Sequence, residues 1–328
     1  MKNKLKLRDK CPICESTKFK FFCNLNNDYL YSSKSGWCHD KEILKNAGFD
    51  LDKEINCSYY KCEKCKSYFL KELYDMEDAF QNYYTQNPNK YEKMINNYSK
   101  ERTIKFIERS DIINSSLTIA ANLSKKKNLN VLDFGCGGGH DLLIAKSLRV
   151  KKAVGYNFVS FPFKFVKQND IDIILTDNFD DVKKNGPYDL VICNSVLEHV
   201  YNPNLIMKQI DELIEKDSVV FFYAPCVSDN EMDINAIKIK KAKKVKTLHP
   251  GHVQVWNYNG LSLSEYVKSK NYRIIPLRIN DQFIDLSSAK NLFFKIKVQL
   301  KNIIRYIYDY LFIKNNSFKA SFFLGIKK

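Results

Sequence analysis

The stretch that decides the fold is Val131-Leu-Asp-Phe-Gly-Cys-Gly-Gly-Gly139, which is followed by the helix-like segment Asp141–Leu148. A short apolar run ends at Asp133, and glycines then recur at alternate positions, Gly135, Gly137 and Gly139. Glycine is needed in such a turn because the backbone takes unusual dihedral angles and approaches a ligand closely. The dinucleotide fingerprint would require a glycine where this chain has His140. The sequence therefore predicts a strand, a tight glycine turn and a helix.

Strands and helices alternate after this turn, as a doubly wound parallel sheet requires. The first predicted strand ends at Asp133. Six more are predicted at Ala153–Asn157, Ile171–Leu175, Tyr188–Cys193, Val219–Tyr223, Tyr272–Leu277 and Phe318–Ile326. The predicted fold class is α/β, with a Rossmann-like sheet of seven strands.

Two further segments follow predicted strands in register. Leu197-Glu-His-Val-Tyr-Asn-Pro203 follows the fourth strand, and Tyr223-Ala-Pro225 ends the fifth. Together with Asp133 and its glycines, these segments resemble class I S-adenosylmethionine-dependent methyltransferases. The resemblance covers residues 126–328 and implies a methyltransferase domain over that range.

The composition argues against a secreted or membrane-spanning protein. Met1–Lys10 is rich in lysine and has no apolar segment of a signal peptide, and no apolar stretch is long enough to span a bilayer. Ten cysteines without a secretion signal predict thiols that stay reduced in the cytoplasm and that bind metal or pack.

The net charge of +16 is a weak indication of a nucleic-acid partner. Only seven of the 53 basic residues are arginine, which is the residue that recognises phosphates and bases in bidentate fashion. Much of the lysine is expected to be solvated surface. We therefore do not expect nucleic acid to be the partner.

Two C-x-x-C pairs near the amino terminus, Cys11/Cys14 and Cys62/Cys65, predict a structural zinc site. The 47 residues between the pairs exceed the usual spacing, so an insertion, 24–56, is expected to loop out. A site with four cysteine ligands has no open position, so loss of the metal is expected to unfold only this module. A second site is an open alternative to plain buried or exposed thiols for four residues that match no known spacing, Cys23, Cys38, His39 and Cys57.

A zinc ribbon ahead of a class I methyltransferase domain resembles the deoxysugar C-methyltransferases and their relatives in bacterial glycan clusters. The resemblance implies a zinc-binding module with an insertion over 1–75, a helical bridge over 76–125, and the methyltransferase domain over 126–328. Four tyrosines of the bridge either line the substrate side of the pocket or pack between the domains, Tyr83, Tyr84, Tyr91 and Tyr98.

The resemblance also implies which residues bind S-adenosylmethionine. The backbone of the loop from Gly135 through Cys136, Gly137 and Gly139 approaches the methionine part, and Asp133 orients the loop and meets the ammonium group. The family's second strand ends in an acid that binds both ribose hydroxyls, and this chain has Asn157 there. An amide has one acceptor oxygen and no charge, so we expect a weaker contact. Two more candidates follow the third and fourth strands, Asp177 at the adenine amino group and Asn194 at the pocket floor.

The candidate catalytic residues are histidines, which suit proton removal near neutral pH. His199 follows the fourth strand, and Glu198 before it is expected to brace the loop. His252 lies in His249-Pro-Gly-His-Val-Gln-Val-Trp256. In the deoxysugar C-methyltransferases the corresponding loop carries Glu-His, and its histidine is the proposed base. Here Gly251 replaces that glutamate. His249 is a third candidate. A structural loop histidine is the alternative for His199 and His252, and helix or turn capping is the alternative for His249.

Two charged segments indicate partners. Ile237–Lys246 contains six lysines that precede the histidine loop, which suits a phosphorylated acceptor or simply a solvated helix face. Residues 291–313 interleave aromatic residues with lysine, which suits peripheral membrane contact, a dimer face or packing on the sheet edge.

The leading hypothesis is methyl transfer from S-adenosylmethionine to a small-molecule or glycan-linked acceptor, such as a sugar nucleotide in polysaccharide biosynthesis. The alternatives are an RNA-directed methyltransferase and a non-catalytic cofactor-binding protein. The sequence leaves open the oligomeric state and whether the acceptor atom is oxygen, carbon or nitrogen.

Overall fold

The computed structural model describes residues 6–25, 41–49, 57–74, 76–90, 103–148, 150–158, 173–240, 247–276 and 322–328. Helices α1–α8 of this part cover, in chain order, Lys41–Asn46, Met76–Gln86, Thr103–Ser124, His140–Ser147, Phe179–Asn185, Pro203–Leu213, Asp229–Lys240 and Leu263–Lys268. Strands β1–β14 cover Lys6–Leu7, Phe19–Leu25, Cys57–Cys62, Tyr68–Leu70, Glu72–Leu73, Asn130–Phe134, Lys152–Tyr156, Ile174–Thr176, Tyr188–Asn194, Ile214–Tyr223, Cys226–Val227, Gln254–Asn257, Tyr272–Pro276 and Phe322–Lys327.

A seven-stranded sheet forms the larger layer, in the order β13-β14-β10-β9-β6-β7-β8. The strands from β10 to β8 are parallel, and β14 runs antiparallel to both of its neighbours. The predicted seven-stranded doubly wound fold is confirmed. The third strand runs over Ile174–Thr176, later than the predicted Ile171–Leu175, because Thr176 continues the pairing and lies opposite Tyr156.

The central strands are buried on both faces, which explains their continuous apolar sequences. Helix α6 begins with a side-chain cap. Asn202 accepts hydrogen bonds from the backbone of Asn204 and Leu205, and Pro203 takes the first helical position. This capping fixes the direction in which the chain leaves the end of β9.

A five-stranded sheet joins the cysteine module to a distant part of the chain, in the order β11-β12-β4-β3-β2. Strand β12 pairs antiparallel with β4, so that Gln254 lies opposite Phe69 and Val255 lies opposite Tyr68. The sheet therefore crosses the boundary predicted at residue 75. The division into 1–75, 76–125 and 126–328 stays a prediction.

One buried cluster also runs through both layers. It contains Cys62 and Phe69 of the cysteine module, Trp256 of β12, and Val191 of the central sheet. At the edge of this cluster, Gly260 packs closely against the backbone of Cys65. The backbone nitrogen of the next residue, Leu261, donates a hydrogen bond to Cys65 O at 2.9 Å. The cysteine pairs are thus packed directly on the methyltransferase-like layer.

In the predicted bridge, Tyr83 lies on α2 and is buried within a second apolar cluster with residues of β3 and β4. Its hydroxyl accepts a hydrogen bond from Lys90 Nζ at 2.7 Å. Tyr83 therefore packs in the apolar core of this part of the protein. Tyr91 and Tyr98 lie outside the described residues, as does the side chain of Tyr84.

Several predictions fall on other parts that the structure does not describe. These are the membrane or dimer contact at 291–313, the lysines at 241–246, and the metal-ligand candidates Cys38 and His39. Cys23 and Cys57 are buried in the second apolar cluster. None of the described helices is both long enough and apolar enough to cross a bilayer.

Gly260→Ala tests the close packing of the two layers. A Cβ atom at this position would overlap Cys65 O and would lie 2.6 Å from Lys66 Cβ. We expect the free energy of unfolding, measured by urea denaturation, to fall by about 1–3 kcal/mol. The control is Gly186→Ala, whose added Cβ would come no nearer than 3.4 Å to its neighbours. Equal stability of the two variants would contradict the packing argument.

Candidate functional site

The glycine loop follows β6 and is shaped by close contacts. Gly135 has a φ of 83°, and a Cβ atom there would lie 2.5 Å from Val196 Cγ2. The backbone nitrogens of Gly135 and Cys136 both donate to Tyr156 O, at 2.8 and 2.9 Å. Gly139, with a φ of 71°, is the residue before α4. Glycine is therefore required at 135 and 139 for packing and for backbone conformation.

Gly137 is different because it faces open space. It has a φ of 47°, and a Cβ atom added there would meet nothing within 4 Å. This space lies at the carboxyl ends of β6 and β7, where parallel sheets of this kind bind ligands. Because Gly137 has no side chain and faces open space, the loop backbone is accessible to S-adenosylmethionine at this point.

A buried polar network lies beneath the loop. Asp133 is 4% exposed, and burial raises the pKa of its carboxyl well above the usual range, with a further contribution from Asp141. Arg109 of α3 opposes this shift in the pKa. Arg109 Nη1 donates to Asp141 Oδ1 at 2.9 Å, and Asn194 Nδ2 donates to Asp141 Oδ2 at 2.7 Å.

This network contains two residues that the sequence predicts for the site, Asp133 and Asn194, and two that it does not, Arg109 and Asp141. Asp133 is buried at the end of β6, next to the loop, and the amide of Asn194 donates a hydrogen bond to Asp141. Arg109 and Asp141 were not predicted. The signal for Arg109 is its rarity, because it is one of seven arginines in a chain with 53 basic residues.

The residues predicted for the ribose and the adenine lie at the same edge of the sheet. Asn157 follows β7, is half-buried, and donates its backbone N–H to Thr176 O at 3.2 Å. Asp177 follows β8 and is exposed. Because parallel strands end at one edge, both positions lie along the edge of the sheet that also carries the glycine loop.

The predicted catalytic histidines come together. One ligand atom each of Glu198, His199 and His252 lies within 4.8 Å of the other two. The ring centroids of His199 and His252 are 4.9 Å apart. The ring of His249 lies 3.7 Å from that of His252 and 6.4 Å from that of His199. Glu198 and these three histidines are called the Glu-His cluster below.

Backbone geometry holds the Glu-His cluster beside the glycine loop. Ser195 has a φ of 57°, and its N–H donates to Tyr223 O at 3.0 Å. The turn that follows places Val196 against Gly135 and returns the chain so that Glu198 O accepts from the N–H of Val253 at 2.8 Å. A non-glycine residue in this conformation is strained, which is common at functional sites.

Burial sets the charges of this cluster. It lowers the pKa of His199 to about 4, opposed by the hydrogen bond to Gly251 O, so His199 is neutral at pH 7. It raises the pKa of Glu198 to about 8. His199 Nε2 lies 3.9 Å from Glu198 Oε1, and Glu198 Oε2 accepts no hydrogen bond from the described part of the chain. Glu198 thus brings a carboxyl group to the histidines, and Gly251 stands where the deoxysugar C-methyltransferases carry glutamate.

The cysteine module contacts this cluster through Tyr59 of β3. The Tyr59 hydroxyl donates to His252 O and lies 3.1 Å from His249 O. Arg8 adds a second link from the amino-terminal segment, since its guanidinium donates to Val253 O at 2.8 Å and to Tyr201 O at 2.6 Å. Neither Tyr59 nor Arg8 was predicted, because backbone carbonyl acceptors leave no mark in a sequence.

The four predicted zinc ligands converge at the turn ends of the five-stranded sheet. Cys11 Sγ lies 3.6 Å from Cys65 Sγ, and Cys14 Sγ lies 3.5 Å from Cys62 Sγ. All four sulfurs lie within 4.8 Å of one another. Sulfurs about 2.3 Å from a tetrahedral zinc ion are roughly 3.8 Å apart, so the arrangement fits zinc. None of the nine cysteines in the described ranges forms a disulfide there.

A family model described as a methyltransferase domain matches residues 108–277, which is more than half of the chain. The ubiquinone biosynthesis O-methyltransferase of Rickettsia canadensis is 34% identical over 94 residues, which cover 26% of this chain and 37% of that protein. The enzyme of the same name from Pseudomonas syringae is 25% identical over 164 residues, which cover 45% of this chain and 69% of that protein.

The chain spans less than half of the length of the first of these relatives. Among solved structures, the plantazolicin methyltransferase BpumL in complex with SAH has a TM-score of 0.43 and 14% identity, covering 76% of this chain and 94% of that one. The domain match and the order of the seven strands agree on one assignment. The chain therefore belongs to the methyltransferase family, in the class I S-adenosylmethionine-dependent group whose sheet topology it has.

Proposed function

We propose that this protein transfers the methyl group of S-adenosylmethionine to a hydroxyl of a small-molecule or glycan-linked acceptor in the cytoplasm. The observation that carries the proposal is that the glycine loop, whose backbone is accessible at Gly137, lies next to the turn that carries the Glu-His cluster. Val196 touches the loop, and Glu198 follows two residues later on the same turn. A methyl donor in the loop would thus lie beside groups that can accept or hold a proton.

S-adenosylmethionine supplies an electrophilic methyl group on a sulfonium. The chain's own residues bind and orient it. The backbone at Gly137 leaves room for the methionine part, and Asp133 supplies a buried carboxyl beneath the loop. Asn157 offers one amide oxygen to the ribose and Asp177 faces the adenine side. Cys136 contributes its backbone at the base of the loop, where its thiol is buried.

The acceptor oxygen attacks the methyl carbon, the carbon–sulfur bond breaks, and the sulfur keeps the electron pair. The hydroxyl proton leaves at the Glu-His cluster, so the products are a methyl ether, S-adenosylhomocysteine and one proton. His199 and His252 assist this step, with His249 packed against His252. Alignment and proton removal are the two demands of such a displacement.

Two considerations support the acceptor class. The named relatives are O-methyltransferases of a small molecule, which favours oxygen as the acceptor atom. The cysteine module resembles that of glycan-cluster enzymes, which favours a sugar nucleotide or another glycan precursor in polysaccharide biosynthesis. Lys238 and Lys240 are exposed at the end of α7, which suits a phosphorylated acceptor.

We also propose that the four-cysteine cluster binds structural zinc. The sulfur distances support this, and so does the burial of three of the four thiols. Because β12 pairs with β4 and Tyr59 contacts both histidine carbonyls, the metal would stabilise the catalytic loop as well as its own module.

The proposed function is tested by methyl transfer from labelled S-adenosylmethionine to a panel of catechols, sugar nucleotides and RNA. We expect transfer to a small hydroxyl acceptor and none to RNA. In His199→Ala and His252→Ala the rate should fall about 10²-fold or more because proton removal is impaired. The affinity for S-adenosylmethionine, measured by calorimetry, should stay unchanged.

The control is Tyr201→Phe, which removes an exposed hydroxyl that donates to Tyr74 O at 3.3 Å. It should turn over at the normal rate. Methylation of RNA alone, or normal rates in both histidine variants, would contradict the proposal. Absence of any heat with S-adenosylmethionine would indicate a non-catalytic protein with another ligand.

Asn157→Asp tests the ribose contact. A carboxylate has two acceptor oxygens and a charge, so it should bind both ribose hydroxyls more strongly than the amide does. We expect the Kd for S-adenosylmethionine to fall about tenfold, which is about 1.4 kcal/mol. Asn157→Ala is the matched control and should bind more weakly than the unaltered protein. An unchanged Kd in both variants would place the ribose elsewhere.

Cys11→Ser/Cys62→Ser tests the zinc site. Relative to the unaltered protein, this double variant should lose one equivalent of zinc by elemental analysis and unfold at a lower temperature, since structural zinc contributes to folding. Its methyl-transfer rate should fall as well, because Tyr59 loses its support. Cys226→Ala, outside the cluster, should keep the full zinc content. Retention of all the zinc by the double variant would exclude these ligands.

A further inference from the structure

Three side chains of the Glu-His cluster converge closely enough to share one ion. One ligand atom each of Glu198, His199 and His252 lies within 4.8 Å of the other two. Two ligand atoms about 2.1 Å from a tetrahedral zinc ion lie roughly 3.4 Å apart. A small movement of these side chains would therefore bring all three atoms to a single cation.

Both histidines are held in the tautomer that a metal ligand needs. His199 Nδ1 lies 2.7 Å from Gly251 O, and His252 Nδ1 lies 2.8 Å from Thr247 O. A carbonyl oxygen can only accept, so each Nδ1 carries the proton and each Nε2 keeps its lone pair. Metal-binding histidines commonly donate their second ring nitrogen to a backbone carbonyl in this way.

Glu198 gives an independent reason to expect a positive partner. Its side chain is 1% exposed, and Oε2 has no hydrogen-bond donor within the described part of the chain. A buried carboxyl oxygen without a hydrogen-bond partner is costly, whereas coordination of a cation satisfies it. The neighbouring His199 Nε2, 3.9 Å from Glu198 Oε1, is too far to donate a hydrogen bond.

We infer that Glu198, His199 and His252 bind a divalent cation, and that zinc(II) is the ion this donor set favours. Two histidines and a glutamate are the ligands of catalytic zinc sites that keep an open coordination position. The site is chemically distinct from the four-cysteine cluster, which has no open position. The structural claim stands on these three residues alone, and only the role of the ion in the reaction rests on the proposed function.

In that role, the acceptor hydroxyl occupies the open position and its pKa falls because of the adjacent positive charge. Its proton passes to solvent water, and the oxygen then attacks the methyl carbon as the carbon–sulfur bond breaks. The sulfur keeps the electron pair. The two histidines then act as ligands, and the cluster needs no strong base.

The test is zinc binding by the full chain whose cysteine site is already filled. After gel filtration from zinc-containing buffer, elemental analysis of the unaltered protein should give one equivalent more than the cysteine site accounts for. Calorimetric titration with zinc should show that Glu198→Gln and His252→Ala bind this equivalent at least tenfold more weakly. The matched control is Glu212→Gln, which changes an exposed carboxylate paired with Lys183 and should bind as the unaltered protein does.

Circular dichroism checks that both cluster variants are folded, and retention of the cysteine-bound zinc checks that module. Absence of the extra equivalent in the unaltered protein, or its retention in both variants, would overturn the inference. Full methyl transfer by protein without the extra equivalent would overturn the role of the ion in the reaction while leaving the proposed function intact. Zinc binding that depends on Glu198 and His252 without any methyl transfer would uphold the metal site and count against the proposed function.

Discussion

The buried guanidinium of Arg8 joins the two layers of this protein at the candidate site. It donates to Val253 O, Tyr201 O and Gln254 Oε1 at 2.6–3.0 Å and to Leu70 O at 3.3 Å. Burial lowers its pKa to about 10, so it stays charged at neutral pH. A buried cation needs all of these acceptors, and they belong to three separate segments. Arg8 therefore fixes the position of the loop that carries the Glu-His cluster.

The cysteine module consequently supports the site and does not merely precede it. The sequence alone predicts that loss of metal from the four-cysteine cluster unfolds only the amino-terminal module. Strand β12 pairs with β4 and lies two residues after His252, and Tyr59 contacts the carbonyls of the histidine loop. Damage at the cysteine cluster is thus expected to reach the loop that carries the Glu-His cluster through backbone hydrogen bonds.

Two buried carboxyl groups lie at the ends of neighbouring strands and differ in the partners that offset the cost of their burial. Asp133, at the end of β6, has Arg109 nearby, and this cation offsets part of the cost of its burial. Glu198, after β9, has an oxygen that accepts no hydrogen bond within the described residues. The first arrangement suits a loop that receives a cofactor with a positive charge. The second is the observation on which the inferred cation site depends.

The sequence by itself determined the seven strands of the sheet, the glycine turn, the cysteine pairs and the candidate histidines, because each depends on local spacing. Only the tertiary structure decided that β12 joins the cysteine sheet, that Asn194 is committed to Asp141, and that Glu198 meets His252. These contacts join residues far apart in the chain or use backbone carbonyls that every residue carries. Arginine is rare in this lysine-rich chain, and both Arg8 and Arg109 donate hydrogen bonds within networks that contain buried residues.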